Sequence, residues 1–124
     1  MKKRFSPVFR DFPHIVHGAD YNPDQWLSRP DILSEDLRLM KLAGMNSATL
    51  AIFAWSAIEP VEGVFRLEWL EKIIDNLDAQ GSYVVLATPS AAGPAWLDAK
   101  YPEAMRTHAD GLKETHGKRH NHCM

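Results

Sequence analysis

The chain has 124 residues, of which 45% are hydrophobic and 24% charged, with a formal net charge of −2. That balance is one domain's worth of ordinary globular sequence and argues against disorder, and the near-neutral charge carries no electrostatic footprint for nucleic acid or an anionic membrane. No run approaches the roughly 20 apolar residues of a membrane span, and Cys123 is the single cysteine, so no internal disulfide can form and a reducing, cytoplasmic setting is expected.

Lys2, Lys3 and Arg4 make a short basic start, but no apolar stretch follows, so no signal peptide is expected. The first β-forming run spans 14–19, His-Ile-Val-His-Gly-Ala, and stops at Asp20-Tyr21-Asn22-Pro23. A helix is predicted next, with Ser28 as its cap and Pro30 and Asp31 in its early turn. Leu33, Leu37 and Met40 fall on one face of it, and Gly44 stands where a left-handed terminator is wanted. The second run, 48–55, and the third, 82–87, are nearly continuous in apolar residues, the pattern of strands buried on both faces of a parallel sheet. Between them Leu70, Ile73, Ile74 and Leu77 line one face of a second helix, which Gly81 ends. Glu71, Lys72, Asp75 and Asp78 make its solvated face. A short helical stretch is expected over 96–99.

The strand starts at 14, 48 and 82 are evenly spaced, at about the length of a right-handed βαβ unit. Three such units leave sheet edges and one sheet face uncovered, which is a poor domain. The economical reading is an α/β chain made of the first three or so βα units of a (β/α)8 TIM barrel, incomplete, since eight units need about 250 residues. Residues 1–13 read as an N-terminal extension, and 14–124 as the partial barrel.

Ligands of such a sheet bind at the carboxyl ends of the strands. This places Asp20, Tyr21 and Asn22, then Phe53, Trp55 and Ser56, then Thr88, Ser90 and Trp96 on one surface. Tyr21, Phe53, Trp55 and Thr88 are the expected wall of a sugar site, where flat C–H faces stack on rings and hydroxyls take directional hydrogen bonds. Taken singly, Phe53 and Trp55 read more readily as core, and Tyr21 reads either way. Glycoside hydrolysis needs two carboxylates on separate strands. Asp20 is the only acid at a strand end, and Glu59 and Glu62 read as turn and surface residues, so no catalytic residue is assigned within the chain. His116, His120, His122 and Cys123 cluster in the tail, but one cysteine beside them is a poor local zinc site. Neither a glycine-rich nucleotide loop nor a G-x-S-x-G elbow is present.

The segments "GADYNPDQW", "FAWSAIEPVEGVF", "WLEKIIDNLDAQG", "VVLATPSAAGPAWL", "YPEAM" and "GKRHNHC" occur in that order. Together they resemble the amino-terminal part of the barrel of glycoside hydrolase family 42 β-galactosidases, over about residues 14–123. The resemblance implies a retaining enzyme that removes terminal β-D-galactosyl residues from β-galactoside oligosaccharides. It implies a homotrimer, with no cofactor required for catalysis. An acid/base glutamate after strand four and a nucleophilic glutamate on strand seven would both lie beyond Met124, making this chain an inactive, truncated piece. It implies that Arg119 contacts galactose and that Cys123 is one of four ligands of a structural zinc. Ile52 departs from the family pattern, where many relatives carry Glu. The alternative from another class is a non-catalytic carbohydrate-binding or interaction half-barrel that needs a partner to complete it.

Overall fold

The computed structural model describes residues 14–114. Three short strands, β1 (Gly18–Tyr21), β2 (Ser47–Leu50) and β3 (Tyr83–Leu86), form a parallel sheet in the order β1-β2-β3. Helix α1 (Pro30–Leu42) connects the first pair, and α2 (Trp55–Ile58) and α3 (Glu68–Ala79) connect the second. After β3 come α4 (Ala95–Lys100) and a 3-10 turn at Pro102–Ala104. The alternation of strand and helix is the one read from sequence, and all three strands are parallel, as the apolar second and third runs suggest.

The register puts Tyr21, Leu50 and Leu86 in one row and Asp20, Thr49 and Val85 in the next. Since side chains alternate along a strand, Ala19, Tyr21, Ala48, Leu50, Val84 and Leu86 share one face. That face carries the core. Tyr21, Ala48 and Leu50 are buried with Leu70, Ile73 and Leu77 of α3, and Leu33, Leu37 and Met40 of α1 pack against them. The apolar stripes predicted for both helices are therefore the ones that cover the sheet. The opposite face is open: Tyr83 and Val85 are each about half exposed, at 53% and 52%.

Both helices end in the same device. Past the last turn of α1, Gly44 N–H donates to Lys41 O and Met45 N–H to Met40 O. Past α3, Gly81 N–H donates to Asp78 O and Ser82 N–H to Leu77 O. Gly44 and Gly81 take φ of 68° and 80°, which only glycine adopts without cost, so each helix closes in a Schellman turn that feeds the next strand.

Other boundaries differ from the reading of the sequence. Helix α1 begins two residues after Ser28. Arg29 occupies its cap position without a side-chain cap bond and instead pairs with Asp31. The first β run, placed at 14–19, is paired only from Gly18. Upstream, the Asn46 side chain takes the place of a strand, accepting from His17 N–H at 2.8 Å and donating to Ile15 O at 2.9 Å. The second run ends at Leu50, not at residue 55. Ala51 adopts φ 74°, which turns the chain away, and Trp55 lies in α2 rather than on a strand.

Tyr21 gives the fold a pH signature. Burial, reinforced by the nearby Asp36 carboxylate, pushes its phenol well above the ordinary value of 10.0. The folded chain therefore holds that proton where the unfolded chain releases it. The stabilisation is complete below about pH 10 and is lost as pH rises beyond it, by up to about 1.4 kcal/mol per pH unit. Urea midpoints measured at pH 9 and pH 11 are expected to fall with pH, and Tyr21→Phe is expected to flatten that fall. An equal fall in both proteins would show that another group is responsible.

Candidate functional site

The carboxyl ends of the three strands lie side by side, because Tyr21, Leu50 and Leu86 are in register and Ala87 N–H donates to Leu50 O. The segments that follow them build one surface. After β1, Asn22 leads into a 3-10 turn at Pro23–Trp26. After β2, the left-handed Ala51 reverses the chain into α2, and Ala54 N–H closes the turn on Ala51 O. A buried non-glycine residue in this conformation is costly, and such strain concentrates at functional surfaces. After β3, residues 87–94 run into α4, whose first residue follows Pro94.

The expected wall residues separate. Thr88 is exposed at the end of β3, and Phe53 is partly buried in the turn after β2. Trp55 is partly buried and meets Trp96 edge to face, with ring centroids 6.3 Å apart and planes at 87°. This is a favoured arrangement for an aromatic pair. Tyr21 lies elsewhere, on the helix-facing side of β1 and within the core. Asp20 sits on the open face, in one row with Thr49 and Val85, and is exposed. Arg119 and Cys123, with His116, His120 and His122, lie outside the described residues. Among the described residues no group of three or more His, Cys, Asp or Glu is placed to hold a metal ion. No helix among them is long and apolar enough to cross a membrane.

Glu59 is not the surface residue that its charge and its place in a Pro- and Gly-containing loop suggest: it is 9% exposed. Its carboxylate accepts from Trp55 Nε1–H and from Gly63 N–H, both at 2.8 Å, and its main-chain oxygen accepts from Trp96 Nε1–H at 2.9 Å. These bonds offset the desolvation that ordinarily keeps glutamate at the surface. The sequence signal that could have found it is Trp-x3-Glu-x3-Gly, in which the indole one helical turn before the acid and the turn amide after it both supply donors. Glu62, on the outer side of the same loop, pairs with Lys100 and accepts from Tyr101 Oη–H at 2.7 Å. Lys100 first, then Tyr101, holds its carboxyl below the usual range. The loop between α2 and α3 is thus fastened to α4 at several points.

A second polar knot closes the described chain. Thr107 bridges Lys113 in a small hairpin. Glu114, 9% exposed, has Oε1 at 2.5 Å from His108 Nε2 and accepts from Arg106 Nη2 at 3.2 Å.

The family profile described as beta-galactosidase, of glycoside hydrolase family 42, matches residues 20–124. The β-galactosidase GalA of Bacillus licheniformis is 56% identical over 110 residues, covering 89% of this chain and 16% of that protein. The β-galactosidase BglY of Alicyclobacillus acidocaldarius is 50% identical over 120 residues, covering 97% of this chain and 17% of that protein. Among solved structures, the cold-adapted β-galactosidase of Rahnella sp. R3 superposes with a TM-score of 0.87 at 46% identity, over 92% of this chain and 17% of that one. The β-galactosidase Gan42B of G. stearothermophilus gives 0.84 at 60% identity, over 88% and 16%. The chain therefore spans about one sixth of the length of these relatives.

Proposed function

The chain belongs to glycoside hydrolase family 42, the β-galactosidases, and from that premise we propose that it is the amino-terminal part of a retaining β-galactosidase, supplying the first three strands of an eight-stranded barrel. The observation that carries this reading is the match itself: 89% of the chain aligns at 56% identity to 16% of a β-galactosidase. The parallel sheet, covered by helices on one face and open on the other, supports it. In a closed barrel the open face would turn inward and be filled by side chains of the other strands.

The chemistry divides accordingly. Retaining hydrolysis uses an acid/base and a nucleophile about 5–5.5 Å apart. Of the acids near the strand ends, Glu59 has both oxygens engaged by N–H donors and Glu62 is held by Lys100 and Tyr101. Asp20 is the one acid in its row, beside Thr49 and Val85. Both catalytic glutamates would then come from later strands, and this chain would supply part of the sugar-facing surface. In the same reading Arg119 donates to galactose. Cys123 provides one ligand of a structural zinc whose other ligands lie further along the chain, and the complete protein is a cytoplasmic homotrimer acting on β-galactoside oligosaccharides.

The test is hydrolysis of a chromogenic β-galactoside. The 124-residue chain is expected to give no turnover, and a chain continued through the remaining strands is expected to give it. Turnover by the short chain that is lost on replacing Asp20 would place the chemistry here and overturn the proposal.

A further inference from the structure

Glu59 joins three separate pieces of chain: its own α2 through the Trp55 indole, the following turn through the Gly63 amide, and α4 through the Trp96 indole. The two side-chain contacts converge as N–H donors on two different oxygens. Only a carboxylate presents an acceptor at both positions. Glutamine has the same length and shape but would turn its own N–H2 against one of the donors. A negative charge 9% exposed is thus retained where an amide of equal volume would fit, which points to a requirement for both acceptors rather than for packing.

We propose that Glu59 is a positioning residue: its carboxylate fixes the Trp55 indole and the turn at Gly63, and so holds the Glu59 main-chain oxygen where the Trp96 indole of α4 donates to it, which keeps the strand-end surface from Thr88 to Trp96 in one shape. The identity of the substrate held on that surface rests on the β-galactosidase reading. The Trp55–Trp96 pair is the immediate object of the lock, since Glu59 holds one indole by its carboxylate and the other by its main chain. Glu62 makes an outer fastening through Lys100 and Tyr101. The surface lies where barrel ligands bind, and misplacing such a wall by about 1 Å is enough to weaken productive binding severely.

The test compares Glu59→Gln, Trp96→Phe and Glu62→Gln. In the 124-residue chain the near-ultraviolet circular dichroism of the coupled indoles is expected to collapse in the first two variants and persist in the third, with the far-ultraviolet spectrum unchanged in all three. In the complete barrel that the reading requires, Glu59→Gln is expected to raise KM for a nitrophenyl β-galactoside about tenfold while kcat stays within about threefold. An intact indole signal in Glu59→Gln, or an activity loss carried by kcat alone at unchanged KM, would overturn the positioning role. If the unsubstituted complete barrel hydrolyses no β-galactoside, the β-galactosidase reading fails, and the indole spectra alone decide the lock.

Discussion

Leu50→Ala is expected to abolish cooperative folding of the chain. Leu50 ends the central strand, is 0% exposed, and is flanked in register by Tyr21 and Leu86. It belongs to the cluster formed with Leu70, Ile73 and Leu77, so its side chain sits where the helices meet the sheet. Deleting a leucine side chain at such a site costs about 2–5 kcal/mol, the higher values where surroundings cannot collapse. A central strand hydrogen-bonded on both sides cannot shift to fill the gap without breaking one of its ladders. The usual stability of a small domain is only about 5–15 kcal/mol, and a sheet covered on one face belongs at or below the low end. The check is a urea titration followed by far-ultraviolet circular dichroism. Leu50→Met, which preserves volume, is expected to retain a transition, and Val61→Ala, at a position 60% exposed, to leave the midpoint unchanged. An unchanged midpoint for Leu50→Ala would mean that the core is organised around other residues.

The features that Leu50 depends on were readable in sequence because they are periodic or local. Leu33, Leu37 and Met40 repeat at helical spacing, as do Leu70, Ile73 and Leu77, and these stripes are the ones that cover the sheet. Gly44 and Gly81 announced the turns that return the chain to β2 and β3. The end of β2 was not readable. The run from Ala48 to Trp55 is apolar apart from Thr49, so strand, turn and one-turn helix look alike in it, and alanine gives no warning of a left-handed φ at residue 51. Tyr21 was ambiguous for a simpler reason: a one-residue change in where β1 is taken to face moves it between the wall and the core. Glu59 was misread because its charge suggests exposure, while one of its partners, Trp96, lies 37 residues away and is brought close only by the third strand. Local pattern cannot supply a contact of that range. Family resemblance linked the two motif blocks by their order, but it did not show that one glutamate fastens them together.

The open face leads to the other large effect. The chain by itself is expected to self-associate at micromolar concentrations and to bind an apolar dye. Tyr83 and Val85 on the uncovered face are about half exposed, and Leu86 is 59% exposed beside a groove of about 430 Å³ lined by Trp55, Phe65, Leu67 and Pro89. The outer sides of β1 and β3 carry no further strand among the described residues, and a sheet edge of this kind is a template for pairing with another molecule. Apolar side chains next to an unpaired edge are the combination that drives association of partly assembled folds. Val85→Lys places a charge on that face without disturbing the helix-packed core, and is expected to shift the chain toward monomer with its far-ultraviolet spectrum unchanged. Sedimentation velocity across a concentration series reads the outcome. Closing the barrel would bury the same face and pair the same edges, so a chain continued through the remaining strands is expected to lose the dye binding. A short chain that stays monomeric across the series and binds no apolar dye would show that three βα units stand as a domain of their own, and the reading of this chain as part of a larger barrel would lose its physical basis.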